Sequence, residues 1–159
     1  AFGIQNVLVF DPYLSDEVAL SFGVKKVDIA TLCEKANLIS IHAPATAETK
    51  HIINSKMLAL MGQDTAIVNT SRGALIDEVA LVDAFKAGKI FGAALDVQEK
   101  EPMAPDSPLH AVKNLDNVIL TNHLGWYSEE SVAVLQRKAG EQGYQILSVG
   151  RPANWVNQW

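Results

Sequence analysis

The sequence predicts a doubly wound α/β domain, because short apolar runs alternate along the chain with longer segments of helical periodicity. The apolar runs are three or four residues long and nearly continuous, which is typical of parallel strands covered on both faces. The length of 159 residues fits one compact domain. A composition of 48% hydrophobic and 19% charged residues is globular and argues against disorder.

Five apolar runs and one weaker run mark the strands of the predicted sheet. Connections with helical periodicity separate most of these runs, as parallel strands require. In chain order the predicted strands are Val7–Phe10, the weaker candidate over 24–27, Leu38–Ile41, Ala66–Val68, Ala93–Leu95 and Val118–Leu120.

Side chains that can cap a helix N-terminus begin several of the predicted helices. Asp28 and Asp77 are placed to cap two helices, and either Asn54 or Ser55 caps a third. The apolar stripe of the helix that follows Asp77 stops at Gly88, which we interpret as its C-cap.

The last predicted helix begins near Ser128. Glu129 and Glu130 lie in its first turn, where carboxylates interact favourably with the helix dipole. Each helical glycine costs about 1 kcal/mol relative to alanine, so we expect Gly140 and Gly143 to allow close packing of the backbone. The apolar stripe of this helix comprises Val132, Leu135, Ala139, Gly143 and Ile146.

The composition argues against several classes of protein. Thirteen Lys and Arg against 18 Asp and Glu give a net charge of −5, so no basic face for nucleic acid is expected. No apolar run approaches the roughly 20 residues that a membrane-spanning helix needs, and no secretory leader is recognised. The single cysteine, Cys33, predicts a reducing, cytoplasmic setting. Its helical spacing with neighbouring apolar residues favours buried packing, the alternative being a reactive thiol.

Polar or ionisable residues follow five of the predicted strands. Because ligands of open α/β sheets bind beyond the carboxyl ends of the strands, we expect these residues to share one edge and to form a site. They are Asp11, His42, the segment Asn69–Gly73, Asp96 and the segment Thr121–His123.

Asp11 closes the first predicted strand, where a dinucleotide-binding domain keeps the carboxylate that binds the adenosine ribose. A carboxylate there repels a 2′-phosphate and favours NAD over NADP. The alternative is a turn aspartate before Pro12. The phosphate-binding motif GxGxxG belongs about 20 residues before such an acid, and none of the ten glycines forms it. We therefore expect the first strand and its glycine-rich turn to be absent from this chain.

Three further side chains can carry chemistry. Arg72 could hold a carboxylate with two hydrogen bonds and polarise a neighbouring carbonyl, or it could be a surface arginine paired with Asp77 or Glu78. His123 could be a general acid or base, or a structural histidine. Glu101 could orient His123 and favour its imidazolium form, or remain a solvated loop carboxylate.

Taken together, these motifs resemble the nucleotide-binding domain of the D-isomer-specific 2-hydroxyacid dehydrogenases, from about Val7 to Asn157. Two stretches, Asp11–Asp16 and His123–Glu129, are especially similar to the C-terminal-binding-protein branch, which contains NAD(H)-binding corepressors. The segments that carry the resemblance are Val7–Tyr13, Asn69–Gly73, Gly92–Val97, Glu101–Pro102 and Asn122–His123.

The resemblance implies a Rossmann-type NAD-binding domain and a role for each candidate. Arg72 would bind the carboxylate and carbonyl of a 2-oxo acid, His123 would protonate the carbonyl oxygen as hydride arrives from NADH, and Glu101 would keep His123 protonated. Trp126 would lie at the substrate pocket. No metal is predicted. The implied cofactor-binding residues are Asp11, Pro12, Ala43, Thr49, Thr70, Ser71, Arg72, Asp96, His123 and Gly125.

The resemblance also implies a domain organisation. Residues 1–149 would form the nucleotide-binding domain, incomplete at its N-terminus, and 150–159 a tail that returns toward a separate substrate domain. We expect the isolated chain to fold marginally or to assemble with another copy, and the complete protein to be a homodimer. Two other readings stay open: a non-enzymatic NAD(H)-sensing interaction protein and an inactive truncated remnant.

Overall fold

The computed structural model describes residues 3–4 and 6–154. The chain divides into two compact units, Ala1–His123 and Leu124–Trp159. The division falls after His123, whereas the sequence predicts a domain boundary after residue 149. The two tail tryptophans, Trp155 and Trp159, lie outside the described residues.

All strands of the first unit pair in parallel, and they form two sheets. One sheet has two strands, and the other has four strands in sequence order. The two-stranded sheet pairs β1 with β2, and the larger sheet has the order β3-β4-β5-β6. The strands are β1 (Leu8–Val9), β2 (Lys25–Lys26), β3 (Leu38–Ile41), β4 (Ala66–Asn69), β5 (Gly92–Leu95) and β6 (Val118–Leu120).

The two sheets share no strand pairing within the described residues. In the doubly wound order the first strand lies between the strand that ends at the ribose-binding acid and the strand after the central crossover. Here β1 hydrogen-bonds only to β2 and β3 only to β4 within the described strands. The α/β class with parallel strands is confirmed, and so are the positions of all six predicted strands.

Helices alternate with the strands, and the N-caps that the sequence predicts are confirmed, whereas Ser15, which caps the first helix, was not predicted. The side chains of Asp28, Asn54 and Asp77 accept backbone N–H groups at the starts of α2, α3 and α4. Helix α4 ends at Lys86 with Ala87 as C-cap; Gly88, interpreted above as the cap, is the next residue and adopts a left-handed φ of 62°. The helices are α1 (Asp16–Ser21), α2 (Ile29–Lys35), α3 (Ser55–Leu60), α4 (Glu78–Lys86) and α5 (Glu129–Val149).

One face of the four-stranded sheet carries the hydrophobic core of the first unit. Side chains of α2, α3 and α4 pack there in one cluster, with Cys33, Leu58 and Leu81 among the most buried residues. The strand residues of this cluster are Ile39, Ile41, Ile67, Ala93, Leu95 and Val118. Burial raises the pKa of the Cys33 thiol to about 11, which supports the packing interpretation over a reactive thiol.

On the opposite face of this sheet no helix of the first unit packs within the described residues, whereas the sequence predicts cover on both faces. Alternate residues of β3 are exposed, Leu38 is 56% exposed, and Ile119 on β6 is 61% exposed. The apolar runs reflect strands suited to burial on both sides. Within the described part of the first unit, however, the three helices of the core cluster pack on a single side.

The second unit contains the long helix α5. Ser128 caps it, and Ser128 and Ser131 form a reciprocal capping box, so the predicted start is confirmed. None of its 21 residues is buried. Within the described part of the second unit a Cβ at Gly140 or Gly143 would meet no atom within 4 Å, and the expected close packing of the backbone there stays a prediction. In the described part of the chain no helix has the length and hydropathy that crossing a membrane requires.

Candidate active site

The carboxyl ends of neighbouring strands are joined by a stepped set of backbone hydrogen bonds. The N–H of Asp96 donates to the carbonyl of Asn69 (2.9 Å), so the ends of β4 and β5 are fixed to each other. The N–H of Thr121 donates to Leu95 (3.0 Å), and the N–H of His123 donates to Asp96 (2.7 Å). Four of the five predicted strand ends, those of β3 to β6, therefore share one edge, while Asp11 follows β1 in the other sheet.

The turn after β4 is shaped by Asn69, whose side chain is buried. Its Oδ1 accepts the N–H of Ser71 (3.0 Å), and its Nδ2 donates to the carbonyl of Arg72 (2.9 Å). The hydroxyl of Ser71 donates to the carbonyl of Ile41 at the end of β3 (2.7 Å). Asn69 was quoted above only as part of a motif; its geometry identifies it as the residue that fixes the turn carrying Arg72.

The Arg72 side chain is exposed at this turn. Its Nη1 donates to the carbonyl of Ser71 (2.6 Å), and it forms no ion pair within the described residues. The alternative of a pair with Asp77 or Glu78 is not found: Asp77 caps α4, and Glu78 accepts the N–H of another loop. The guanidinium is thus available to an incoming carboxylate, which it suits through its planar fork of donors.

Glu101 and His123 form a close pair at the same edge of the sheet. The two atoms His123 Nδ1 and Glu101 Oε2 lie 2.7 Å apart, and about a third of each side chain is exposed to solvent. The other carboxylate oxygen, Oε1, accepts the N–H of Gln98 (3.1 Å). Gln98 is itself buried, and its side-chain amide donates to the carbonyl of Thr121 (3.0 Å). Both oxygens of Glu101 are therefore fixed, and the carboxylate holds the imidazole in place.

The remaining nitrogen of His123 is left for chemistry. Since Nδ1 faces Glu101, the donor or acceptor available beyond the pair is Nε2, which has no hydrogen-bond partner among residues 3–4 and 6–154. His123 also has a backbone φ of 55°, in the left-handed region that non-glycine residues rarely adopt. Its N–H bond to Asp96 helps to hold this strained conformation.

The residues predicted for the cofactor occupy several places. Asp11 is exposed directly after β1, and its Oδ1 accepts the N–H of Tyr13 (2.8 Å) across Pro12. One oxygen is used in this turn, so the second can accept from a ribose hydroxyl. The carboxylate of Asp11 can therefore stabilise the turn before Tyr13 and also accept a hydrogen bond from a ribose hydroxyl. The acceptor at this strand end fits the adenosine side of NAD.

The loop after β3 and the ends of β4 and β5 contain the other predicted contacts. Thr49 donates its hydroxyl to the carbonyl of Pro44 (2.6 Å) and so closes the loop that begins at the half-buried Ala43. Thr70 is exposed. Asp96 is buried, and its carboxylate accepts the hydroxyl of Thr121, so it serves the protein's own framework.

Two predicted residues, Gly125 and Trp126, belong to the second unit. The Trp126 ring is about half exposed and meets the ring of Tyr127 edge-on, with centroids 5.6 Å apart. The hydroxyl of Ser131 donates to the Trp126 carbonyl (2.7 Å). The prediction that Trp126 faces the substrate stays a prediction.

A second histidine–glutamate pair, which the sequence did not predict, joins His51 to Glu99. Glu99 lies on the same loop as Glu101. His51 Nε2 donates to Glu99 Oε1 (2.9 Å), with about a third of each side chain exposed. His51 has a φ of 51°, so the two histidines of these pairs are the non-glycine residues with positive φ within the described ranges. Forty-eight positions separate His51 from Glu99, and no local pattern predicts such a contact.

Glu78 anchors this second pair to the start of α4. It is buried, its Oε1 accepts the N–H of Glu99 (2.7 Å), and its own N–H donates to the Glu99 carboxylate (3.4 Å). Burial raises the pKa of the Glu78 carboxyl above its ordinary value, and the charge of Glu99 adds to the rise. No group of three or more His, Cys, Asp or Glu in the described ranges is placed to hold a metal ion.

Comparison with known proteins identifies the family. The family model described as "D-isomer specific 2-hydroxyacid dehydrogenase, NAD binding domain" matches residues 1–125. The chain belongs to the D-isomer specific 2-hydroxyacid dehydrogenase family. Its first unit is the NAD-binding domain of that family, which confirms the fold and the cofactor that the sequence predicts. The resemblance to the C-terminal-binding-protein branch stays a prediction.

Curated relatives and solved structures agree with this assignment. The chain is 46% identical to a D-3-phosphoglycerate dehydrogenase of Methanocaldococcus jannaschii over 99% of its own length and 29% of that protein. It is 36% identical to a glyoxylate reductase of Korarchaeum cryptofilum, over 99% of the chain and 46% of the relative. An NAD-complexed D-isomer specific 2-hydroxyacid dehydrogenase of Lactobacillus delbrueckii ssp. bulgaricus superposes with a TM-score of 0.84 at 26% identity, covering 96% and 49%. The chain thus spans less than half of each of these proteins.

Proposed function

We propose that the protein carrying this chain is an NAD-dependent oxidoreductase of the D-2-hydroxyacid dehydrogenase type. It would transfer hydride between NAD(H) and a 2-oxo or 2-hydroxy acid. The observation that carries the proposal is the His123–Glu101 pair, in which Nδ1 is held at 2.7 Å and Nε2 has no partner within the described chain. A histidine held in this way is suited to act as a proton donor at neutral pH.

The residues of this chain would divide the work in the reduction direction. When bound, NADH supplies the hydride. Arg72, exposed and without a carboxylate partner among the described residues, binds the carboxylate of the 2-oxo acid and orients its carbonyl. His123 donates the Nε2 proton to the carbonyl oxygen as negative charge develops there. Glu101 stabilises the imidazolium before the transfer, and in the oxidation direction His123 takes the proton back.

The cofactor preference would be set at the end of β1. Asp11 accepts hydrogen bonds from the two hydroxyls of the adenosine ribose, and its charge repels a 2′-phosphate. Support comes from its exposure and from the oxygen that the Tyr13 turn leaves unused. The other cofactor contacts that we propose come from Pro12, Ala43, Thr49, Thr70, Ser71, Arg72, Asp96, His123 and Gly125.

The substrate is proposed only as a class, a small 2-oxo or 2-hydroxy acid. The compared proteins are named for phosphoglycerate and glyoxylate, so the shared element is a carboxylate beside the reacting carbon, which Arg72 reads. Trp126 would contact the side chain of the acid. We also propose a cytoplasmic homodimer that binds no nucleic acid, supported by the buried single cysteine, the exposed apolar residues of α5 and the net charge of −5.

The proposal is tested with the complete natural protein that contains this sequence. Oxidation of NADH and of NADPH is measured against a panel of 2-oxo acids, with His123→Ala as the matched variant. We expect at least one acid to be reduced, NADH to be preferred, and the variant to lose the activity while it still binds NADH. Undiminished turnover by the variant would refute the role of His123. NADH binding without reduction of any acid would favour the non-enzymatic sensor.

The isolated chain of 159 residues offers a separate test. We propose that it binds NADH weakly, because β1 and β3 have no strand between them within the described part. Titration with NADH, followed by the fluorescence of the cofactor, measures the affinity. Tight and stoichiometric binding would contradict this.

A further inference from the structure

The second histidine–glutamate pair is connected to the proposed proton donor through a short series of contacts. His51 holds the carboxylate of Glu99, and Glu78 holds the N–H of Glu99. The next residue back along the chain is Gln98, whose N–H donates to the carboxylate of Glu101. Hydrogen bonds therefore hold both the carboxylate and the backbone N–H of Glu99. Glu99 lies two positions before Glu101, whose carboxylate contacts His123.

The backbone of the turn that carries Arg72 packs closely against the loop over 98–101. A Cβ on Gly73 would lie 1.9 Å from the carbonyl carbon of Gln98 and 2.3 Å from the nitrogen of Glu99. Only a glycine can occupy that place without displacing the loop. The hydrogen bond from the N–H of His51 to the carbonyl of Ala74 (2.8 Å) attaches the histidine to the residues after Arg72. His51 thus contacts both segments that carry the proposed machinery.

We propose that His51, acting through Glu99, is a positioning residue that fixes the 98–101 loop so that Glu101 faces His123. The inference rests on the proposed function and deepens it. His51 touches neither substrate nor cofactor in this account. Its contribution is geometric, and a misplacement of about 1 Å at a catalytic group can lower a rate by about 100-fold.

The arrangement differs from an ordinary surface ion pair. An exposed pair between flexible side chains contributes little, because each side chain loses entropy and water screens the charges. Here the histidine has a strained φ of 51°, the glutamate accepts two N–H groups, and its own N–H is bonded to a buried carboxylate. Strain of this kind persists only where surrounding contacts determine the conformation.

Kinetics of the complete protein test the proposal. His51→Ala should lower kcat for 2-oxo acid reduction by about 10- to 100-fold, with the KM for NADH unchanged. His51→Gln should recover most of the loss, because its amide can donate to Glu99. Glu99→Leu, which has no oxygen to accept the N–H groups of His51 and Glu78, should behave like His51→Ala. Lys100→Ala on the same loop is the control and should match the wild type, since Lys100 is exposed and belongs to neither pair.

A double-mutant cycle separates positioning from general stability. If His51 acts through Glu101, then His51→Ala should have no further effect on kcat in a Glu101→Gln background. An equal loss in both backgrounds would overturn the proposal, and so would a wild-type kcat in His51→Ala and Glu99→Leu. A kcat of His51→Gln no higher than that of His51→Ala would also contradict the proposal.

A structural readout keeps this inference distinct from the proposed function. Crystal structures of the wild type and of His51→Ala give the separation of His123 Nδ1 and Glu101 Oε2 without any turnover. We expect the pair at 2.7 Å in the wild type to be broken in the variant. An intact pair in the variant would overturn the positioning role. If the wild type reduces no 2-oxo acid, the proposed function fails, and this measurement alone decides the role of His51.

Discussion

The two histidine–glutamate pairs of the first unit have nearly the same composition and geometry. His123–Glu101 and His51–Glu99 have separations of 2.7 and 2.9 Å, and in both about a third of each side chain is exposed. Both glutamates lie on one loop after β5, and both histidines have a positive φ. The pairs differ in which ring nitrogen they use. Glu101 contacts Nδ1 of His123 and leaves Nε2 without a partner among the described residues, whereas Glu99 contacts Nε2 of His51.

This difference shows that a histidine–glutamate pair is not in itself a proton donor. The pair of His123 lies at the strand ends, where ligands of open α/β sheets bind, and Nε2 of His123 has no hydrogen-bond partner among the described residues. The pair of His51 uses that nitrogen internally and is anchored to the buried Glu78. Under the proposed function, the same two residue types would therefore serve chemistry in one place and geometry in the other.

The largest expected effect distinguishes the two histidines directly. His123→Ala should lower kcat for 2-oxo acid reduction by about 10²- to 10⁴-fold, the usual contribution of a general acid. His51→Ala should lower it by about 10- to 100-fold. Steady-state oxidation of NADH by the complete protein measures both. Equal losses in the two variants would contradict the division of roles.

Arg72 provides the next effect, on binding rather than on proton transfer. Arg72→Lys keeps the charge and loses the planar fork, so the KM for the 2-oxo acid should rise by about 10- to 100-fold, equivalent to about 1.5–3 kcal/mol. The control is the methyl ester of the same acid, which has no carboxylate to bind. Wild type and variant should handle the ester alike, and a difference there would mean that Arg72 acts on something else.

A substitution of Gly73 tests whether the loop that carries Glu99 and Glu101 can shift from its position. Gly73→Ala would place a Cβ 1.9 Å from the backbone of Gln98 and should lower the free energy of unfolding by about 1–3 kcal/mol. Gly140→Ala is the matched control, because its Cβ meets no described atom within 4 Å. That variant should raise stability by about 1 kcal/mol through helix propensity. Urea denaturation measures both changes, and equal effects would show that the contact at Gly73 is not rigid.

Glu78 gives the smallest effect, a dependence of stability on pH. Burial raises the pKa of the Glu78 carboxyl in the folded state above the ordinary value of 4.5. Between the ordinary pKa and the raised pKa, the folded protein therefore binds more protons than the unfolded protein. The free energy of unfolding therefore falls as pH rises through that window. Glu78→Gln removes this term, and its stability relative to wild type should increase from pH 4.5 upward.

Glu130→Gln is the control of opposite sign. Hydrogen bonds from its own N–H and from Ser128 lower the pKa of the Glu130 carboxyl. Its contribution to stability is therefore present above the unfolded value and is lost as pH falls. The stability of this variant relative to wild type should decrease as pH rises. The same direction of change in both variants would contradict the assignment for Glu78.

The strands and the helix starts could be predicted from the sequence because their signals are local. Asp28 and Asp77 lie directly before apolar stripes, and each capping bond spans three residues. The openness of one sheet face could not be predicted, because Leu38 and Ile119 have the side chains of buried strands. Whether such a residue is covered depends on which helices pack against it, and this is a tertiary property.

The candidate site was predictable to the extent that strand ends converge. Glu101 and His123 are 22 residues apart, yet both follow strands of the same sheet, and the resemblance to the family motif joined them. His51 follows no strand end and contacts a residue 48 positions away. The turn that carries Arg72 depends on the side chain of Asn69, whose two hydrogen bonds become evident only in the folded geometry.

The measurement that tests the central claim most directly is a single turnover. The complete protein is loaded with NADH, mixed with an excess of 2-oxo acid and followed by cofactor fluorescence, with His123→Gln in parallel. The account predicts that the wild type oxidises its bound NADH and forms one 2-hydroxy acid per NADH, while the variant binds NADH and leaves it reduced. Oxidation of NADH at the same rate in both proteins would contradict the role of His123. Bound NADH that no 2-oxo acid oxidises in the wild type would contradict the dehydrogenase itself.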